Sequence, residues 1–484
     1  MSDYRERFRP FRAKVGLMKP YSPLIFHKII KRRDARFDGR FYFGVKTTGI
    51  YCRPICPAKP KPENIVIFKS KAHAELAGYR PCLRCKPDFA PGSKILQGTG
   101  NTVNRALRML EEETQTEITV RNLSLRLGVS ERHLRRLFET HLGASPIDIL
   151  TSQRLHLART LVVETNTPLS TIAFAVGFQS IRRFNEAFKE LYQKPPSFFR
   201  QSKSFCPTYD SFRIKIPYRR PYDFSTMFAY LKRHEAFGIE RVSKQSYTRF
   251  IPLKTKGYGE ICLNLEPTSK ELSLSLRNIK ATEIKPILTQ IKRLFDLDHN
   301  PRDLPKSAYF KTSGIRVPGC YDAYETVISI LLSQRVSTEN AKAKLKQLIE
   351  RFGTKLGEDD LGPIFRFPDP SILKDQNLGS LGVTLVQERA IREVSRQFVT
   401  GELRLSQSAD LDEMKKKLSM IPGVGPWSTE VIAMRCLADS DAFPANDLII
   451  KRTIEILQWN EEGWESFRSY LTHCIWRTYG GKQK

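Results

Sequence analysis

No run of about 18 apolar residues interrupts this 484-residue chain, so nothing in it reads as a helix crossing a membrane. Met1–Pro20 is polar and Arg-rich with no apolar centre, which argues against a secretory leader. Acidic residues are scarce: 51 Asp and Glu stand against 80 Lys and Arg, for a net charge of +29. Cysteines number nine, but five of them (Cys206, Cys262, Cys320, Cys436, Cys474) are scattered and odd in count, so a disulfide framework is not the reading. Free thiols of this kind belong in a reducing cytoplasm. There is no long low-complexity segment, and the length is too great for one ordinary core, so three or more domains are expected.

The positive excess is spread over the whole chain. Residues 1–97 carry 22 basic against 7 acidic side chains, 98–203 carry 15 against 10, and 204–484 carry 43 against 34. Such a balance points to a polyanionic partner, and nucleic acid is favoured over a membrane surface or a simple solubility effect.

Four domains are expected: 1–97, 98–203, 204–300 and 301–484. The first is irregular, with short β-like runs at Arg40–Val45 and Ile65–Phe68, and must lean on a metal for stability. Pro91-Gly92-Ser93 with Gly98-Thr99-Gly100, and then Gln201–Ser204, read as linkers. Between them apolar spacing is helical, and two units look alike. Gly128 and Ser130 in one, and Gly177 and Ser180 in the other, supply a glycine turn and a capping serine between two helices. From Phe212 strict alternation predicts strands, and after about Asn300 helical periodicity dominates. The fold class is therefore multidomain α+β: a small zinc-bound α/β domain, an all-α double helix-turn-helix, then an antiparallel sheet with a helical body.

Cys52-Arg53-Pro54-Ile55-Cys56 and Cys82-Leu83-Arg84-Cys85 have C-x3-C and C-x2-C spacing, which suits one tetrahedral Zn²⁺ held by four thiolates. By spacing alone the site is more often structural than reactive. Its surroundings, Lys46–Tyr51, Arg53-Pro54, Glu63-Asn64 and Gly78–Pro81, closely resemble the metal-binding domain of the Ada family of self-methylating DNA repair regulators. That resemblance implies that Cys52 accepts a methyl group from a DNA methylphosphotriester while Cys56, Cys82 and Cys85 complete the metal shell. Arg53, Arg80 and Arg84 would hold neighbouring phosphates. No Pro-Cys-His-Arg-Val segment occurs, so the guanine-alkyl transferase domain of full-length Ada proteins is missing.

Residues 118–200 resemble the AraC-type DNA-binding domain, most closely at Gly177-Phe178, Ser180, Phe184, Pro195 and Phe199-Arg200, with Gln193 where a glycine is usual. Arg132, His133 and Arg136 in the first unit, and Gln179, Arg182 and Arg183 in the second, would enter successive major grooves; phosphate contact or a solvated face is the alternative for each.

Ile421-Pro422-Gly423-Val424-Gly425 has the form of a helix-hairpin-helix turn, in which Gly423 and Gly425 let backbone amides approach a phosphate. With Asp447 some 20 residues on, and with Pro217–Asp223, Val317–Asp322 and Ser333–Ser337, it resembles the AlkA-type 3-methyladenine DNA glycosylases. The resemblance implies Asp447 as the carboxylate beside the emerging sugar cation. Trp427 and Trp476 become candidate walls of the base pocket, with core packing the alternative, and Gln334 and Arg335 lie at the position that enters the gap left by a flipped base. Together these features imply a methyl acceptor, a sequence-specific transcription regulator and a monofunctional glycosylase in one chain. The competing reading is a regulator whose C-terminal section binds DNA without excising bases. Expected partners are alkylated and operator double-stranded DNA, with RNA polymerase for an activator and no membrane. The expected state is a cytoplasmic, nucleoid-associated monomer.

Overall fold

The computed structural model describes residues 23–87, 100–112, 118–200, 211–253, 257–266, 271–307, 312–457 and 463–479. The chain forms two compact units, Met1–Pro207 with Lys280–Pro286, and Thr208–Ile279 with Ile287–Lys484. The linkers expected at Pro91–Ser93, at Gly98-Thr99 and at Gln201–Ser204 lie outside the described residues, while Gly100 opens a helix. Among the described residues no helix is long and apolar enough to cross a membrane.

In the first unit, helix α1 (Pro23–Arg32) precedes a four-stranded sheet of β1 (Tyr42–Val45), β2 (Ile50–Cys52), β3 (Ile65–Phe68) and β4 (Arg80–Pro81), in the order β3-β1-β2-β4. Successive strand side chains point to opposite faces. Cys52 therefore joins an apolar cluster with Phe26, Phe41 and Phe43, while Tyr51 joins another with Tyr42, Phe68 and Ala74. Strand β4 runs parallel to β2, with Tyr51 opposite Pro81, and so delivers Cys82 beside Cys52. Helix α2 (Lys71–Leu76) lies between β3 and β4 in the chain, capped by the Ser70 hydroxyl.

The helical part of this unit runs through α3 (Gly100–Glu112), α4 (Val120–Leu127), α5 (Glu131–Leu142), α6 (Pro146–Glu164), α7 (Leu169–Ala175) and α8 (Ile181–Tyr192). Both turns form as the sequence predicts. Gly128, at φ +67°, ends α4 in the left-handed region that glycine adopts without penalty, and Ser130 accepts from the His133 amide to start α5. Gly177, at φ +95°, and Ser180 do the same between α7 and α8. Gln193, where a glycine is usual, still ends α8 in the left-handed region, at φ +58°.

The second unit begins with a five-stranded antiparallel sheet of β5 (Ser211–Pro217), β6 (Glu240–Val242), β7 (Ser246–Pro252), β8 (Tyr258–Leu265) and β9 (Glu271–Arg277), ordered β5-β9-β8-β7-β6, with α9 (Phe224–Arg233) between β5 and β6. Ile214 and Ile216 face the core while Arg213 and Lys215 face water, as alternation predicts. Helical structure starts earlier than expected, with α9 inside the sheet region and then α10 (Ile284–Leu294). The helical body then contains α11 (Ala323–Leu332), α12 (Thr338–Phe352), α13 (Pro370–Leu373), α14 (Leu385–Thr400), α15 (Leu411–Ser419), α16 (Pro426–Cys436), α17 (Leu448–Leu457) and α18 (Arg468–Tyr479). A hairpin of β10 (Thr354–Asp359) and β11 (Gly362–Arg366), with Gly362 at φ +118°, interrupts this region, in which helical periodicity dominates. One apolar core, including Val327, Leu331, Ile391, Leu418, Ile432 and Leu471, holds these helices together.

Candidate functional sites

The four cysteines of the first unit converge: the Sγ atoms of Cys52, Cys56, Cys82 and Cys85 all lie within 4.8 Å of one another. Zinc–sulfur bonds of about 2.3 Å set tetrahedral edges of about 3.8 Å, so this donor set fits a zinc ion. The four sulfurs are not equivalent. Backbone amides donate to three of them, that of Ala58 to Cys56, that of Cys85 to Cys82 and that of Arg53 to Cys85 at 3.4 Å. Among the described residues no backbone amide donates to Cys52. An N–H donor withdraws electron density from a thiolate, so Cys52 carries the most electron-rich sulfur. Accessibility ranks them differently: Cys52 is 2% exposed and Cys56 fully buried, and Cys85 is the most open of the four.

Arg53 is not placed as expected. Its guanidinium is bonded to both carboxylate oxygens of Asp38 and to the Cys85 carbonyl, at 3.2 Å, so it braces the knuckle instead of offering a free fork to phosphate. Arg80 and Arg84 are exposed and remain available.

On α5, Arg132 and Arg136 are exposed, and Arg136 meets the His133 ring at 3.1 Å. On α8, Arg183 is exposed beside Arg182, which pairs with Glu186 one turn on, and Gln179 is exposed just before the helix. Five of the six side chains lie in the first two turns of α5 and α8, and Gln179 lies just before the cap of α8; the N-terminal residues of a recognition helix are those that read base edges.

In the second unit α15 and α16 flank the hairpin. Gly423, at φ +93°, could not carry a side chain, because a Cβ there would lie 2.9 Å from the Val386 carbonyl oxygen. Gly425 differs: at φ −81° with no atom within 4 Å of a Cβ, its role is openness at the N-terminus of α16. Gln334 departs from expectation as a DNA contact. Its Nε2 donates to the Gly423 carbonyl at 2.9 Å and to the Ser428 hydroxyl at 2.8 Å, so the amide is spent on holding the hairpin. Gln387, buried in the first turn of α14, in turn donates to the Leu331 and Gln334 carbonyls. This bracing leaves Arg335 alone turned outward, exposed and in the left-handed region at φ +56°, a conformation costing about 1–2 kcal/mol for a side-chain-bearing residue.

Asp447 opens α17. Its Oδ1 accepts from the Ile449 and Ile450 amides at 3.0 and 3.2 Å, and its Oδ2 accepts from the Trp427 indole at 3.0 Å. The carboxylate is thereby fixed in direction, and Trp427, like Trp476, also packs against the apolar core of the helical body. Trp476 lies on α18, half-buried, with its ring edge-on to His473 at 5.1 Å. The indole–carboxylate bond was missed by sequence reasoning; it joins Trp427, in the first turn of α16, to Asp447, just before α17. The bracing role of Gln387 had no such signal.

Three stretches match known domain families: residues 26–88 the metal binding domain of Ada, 123–202 a helix-turn-helix domain, and 213–322 the AlkA N-terminal domain. The chain is 31% identical over 476 residues, 93% of its length and 95% of the other, to a probable bifunctional transcriptional activator/DNA repair enzyme AlkA of Mycobacterium tuberculosis. It is 27% identical to DNA-3-methyladenine glycosylase 2 of Escherichia coli, over 55% of this chain and 97% of that one. It is also 39% identical to the bifunctional transcriptional activator/DNA repair enzyme Ada of E. coli, over 24% of this chain and 31% of that one.

Proposed function

This chain belongs to the family of bifunctional transcriptional activators and DNA repair enzymes of the AlkA type, and from that premise we propose that Cys52 is its methyl acceptor and Asp447 its excision carboxylate. The protein joins a zinc-thiolate methyl acceptor to a helix-turn-helix regulator and to a DNA-3-methyladenine glycosylase. The observation that carries the assignment is the asymmetry of the sulfur cluster: among the described residues, Cys52 alone of the four lacks a backbone amide donor.

Cys52, Cys56, Cys82 and Cys85 would hold a zinc ion, which would keep their sulfurs as thiolates. The Cys52 sulfur attacks the methyl carbon of a phosphotriester. The carbon–oxygen bond breaks with its electron pair on oxygen, restoring a phosphodiester anion and leaving Cys52 a thioether. The site moves from −2 to −1, which favours approach to a phosphate backbone. Arg80 and Arg84 supply the flanking phosphate contacts.

At the second site a cationic alkylpurine is flipped from the stack between aromatic walls that include Trp427 and Trp476. The C1′–N bond breaks with its pair on the base, which leaves neutral. Asp447, aimed by three N–H donors, stabilises the sugar cation, and water forms the new C1′–O bond as its proton passes toward the carboxylate. The backbone of Gly423 and Gly425 anchors phosphate, and Arg335 is the side chain that reaches the vacated gap.

The domain boundaries near 97, 203 and 300, RNA polymerase as the activator's partner, a monomeric state and a nucleoid location in the cytoplasm complete this reading; the charge of +29 supports its DNA partner. One experiment tests it. The full chain is incubated with a methylated duplex, the released bases are identified, and the cysteine peptides are sequenced by mass spectrometry. A methyl on Cys52 and free 3-methyladenine are expected. A methyl on Cys85 instead would make accessibility, not hydrogen bonding, the deciding factor.

A further inference from the structure

At the opposite end of α16 from Trp427, two cysteines that have no place in the zinc site lie side by side. Cys436 closes the helix and is buried, and its thiol donates to the sulfur of Cys320, which is half-buried on the segment leading into α11. Cys436 Sγ also points toward the Ala323 carbonyl, at 3.9 Å. The backbone here is pinned. The Gly319 amide donates to the Leu294 carbonyl at 3.1 Å, and a Cβ on Gly319 would lie 2.5 Å from the Arg293 carbonyl oxygen. Arg435 Nη2 donates to the Gly319 carbonyl at 3.2 Å, which ties the last turn of α16 to the same segment. The Arg435 guanidinium lies 5.6 Å from the centre of the Tyr230 ring, and its Nε is buried without a partner. Among the described residues no carboxylate forms an ion pair with it. A buried cation lacking a counter-charge is costly, and a Cys320 thiolate would supply one. The Cys436 S–H donor, and then Arg435, hold the Cys320 thiol below its ordinary range against the opposing effect of burial, while Cys436 is pushed well above it.

We propose that Cys320 and Cys436 form a peroxide-reactive thiol pair, a modification site separate from the zinc cysteines and from Asp447. Cys320 is the attacking sulfur, because it is the more open of the two and accepts the Cys436 hydrogen bond. Its thiolate attacks one oxygen of hydrogen peroxide: an S–O bond forms, and the O–O bond breaks with its electron pair on the departing hydroxide. Cys436 then gives up its proton, and its sulfur attacks that of Cys320. The S–S bond forms as the S–O bond breaks, and a second hydroxide leaves. The two thiol protons turn both hydroxides into water, so the sulfurs lose the two electrons that the peroxide gains. The cross-link fastens the last turn of α16, whose first turn carries Trp427, to the segment before α11. Cys262 offers an internal contrast. It too is half-buried, but the groups that donate to its sulfur are the neutral side chains of Thr248 and Asn264, at 3.5 and 3.3 Å.

The test uses the full-length, zinc-loaded protein. Iodoacetamide at neutral pH is expected to label Cys320 about tenfold faster than Cys262, as it should a thiolate. A second sample is treated with hydrogen peroxide, its remaining thiols are blocked, and its peptides are mapped by mass spectrometry. A Cys320–Cys436 cross-link that dithiothreitol reverses is the expected product. In Cys436→Ala the second thiol is gone, so Cys320 should accumulate as a sulfenic acid, trapped by dimedone. The wild-type map decides the question even if that variant misfolds. Labelling of Cys320 no faster than that of Cys262 would overturn the proposal. So would peroxide oxidation confined to the zinc cysteines, or oxidation of Cys320 that never joins it to Cys436.

Discussion

Replacing Asp447 by asparagine is the natural way to silence the glycosylase, and the structure says that it does two things at once. On the proposed role of Asp447, charge is lost beside the sugar cation; removal of one such electrostatic partner typically costs about 10²–10³-fold in rate, or roughly 3–4 kcal/mol. The amide must also fit a cradle made only of donors: the Ile449 and Ile450 amides on one oxygen, the Trp427 indole on the other. Whichever way an asparagine turns, its NH2 faces an N–H. A donor left without an acceptor in a half-buried site costs about 1–3 kcal/mol. Asp447→Asn should therefore excise 3-methyladenine at least about 100-fold more slowly in single-turnover assays. It should also melt lower, by about 2–4 °C per kcal/mol for a body of this size. Trp427→Phe removes the opposing donor, so Asp447→Asn/Trp427→Phe should be more stable than the sum of the single changes predicts. DNA affinity, measured by fluorescence anisotropy, should stay within a few-fold throughout. Wild-type excision by Asp447→Asn would refute the catalytic role. Strictly additive melting in the double variant would refute the cradle.

Cys52→Ala should abolish methyl uptake from phosphotriester DNA by mass spectrometry while base excision continues at its normal rate. Chelation of zinc should unfold residues 23–87, seen as new protease cleavage there, because four clustered thiols without metal cannot replace its binding energy. Gly423→Ala should weaken duplex binding, since a Cβ 2.9 Å from the Val386 carbonyl must displace the hairpin; an unaltered affinity would show that the hairpin does not anchor phosphate. Burial, aided by the nearby Arg435, pushes His473 down to about 3 and His234 down to about 4 from an ordinary 6.5. The unfolded chain takes up these protons and the folded chain does not, so stability present above about pH 6.5 is lost as pH falls toward 4. The slope is about 1.4 kcal/mol per pH unit per histidine, and His473→Leu should flatten it in melts recorded against pH.

Local chemistry was readable from the sequence wherever one residue type suffices. Gly128 and Gly177 occupy left-handed turns, Ser130 and Ser180 cap the helices after them, and the cysteine spacing closes a metal site. Partnerships across the fold were not readable. Arg53 looked like a phosphate ligand because arginine beside a reactive thiol suggests one; only the fold shows Asp38 waiting for it. Gln334 looked like a DNA contact, and its partners lie 89 and 94 residues away. Tyr51 and His156, whose polar atoms also meet, are separated by 105 positions. Periodicity reports which face of an element is buried and is silent about which polar group waits on the other side.

The uneven hydrogen bonding of the four sulfurs also determines how long a signal lasts. Three sulfurs are tied to backbone amides and serve as anchors, and on the proposed role of Cys52 the fourth would end as a thioether, whose carbon–sulfur bond is stable to water. On that proposal each polypeptide would record one lesion, once. The cell's memory of exposure is then the census of marked chains, and it fades only as they are diluted by growth and removed by proteolysis.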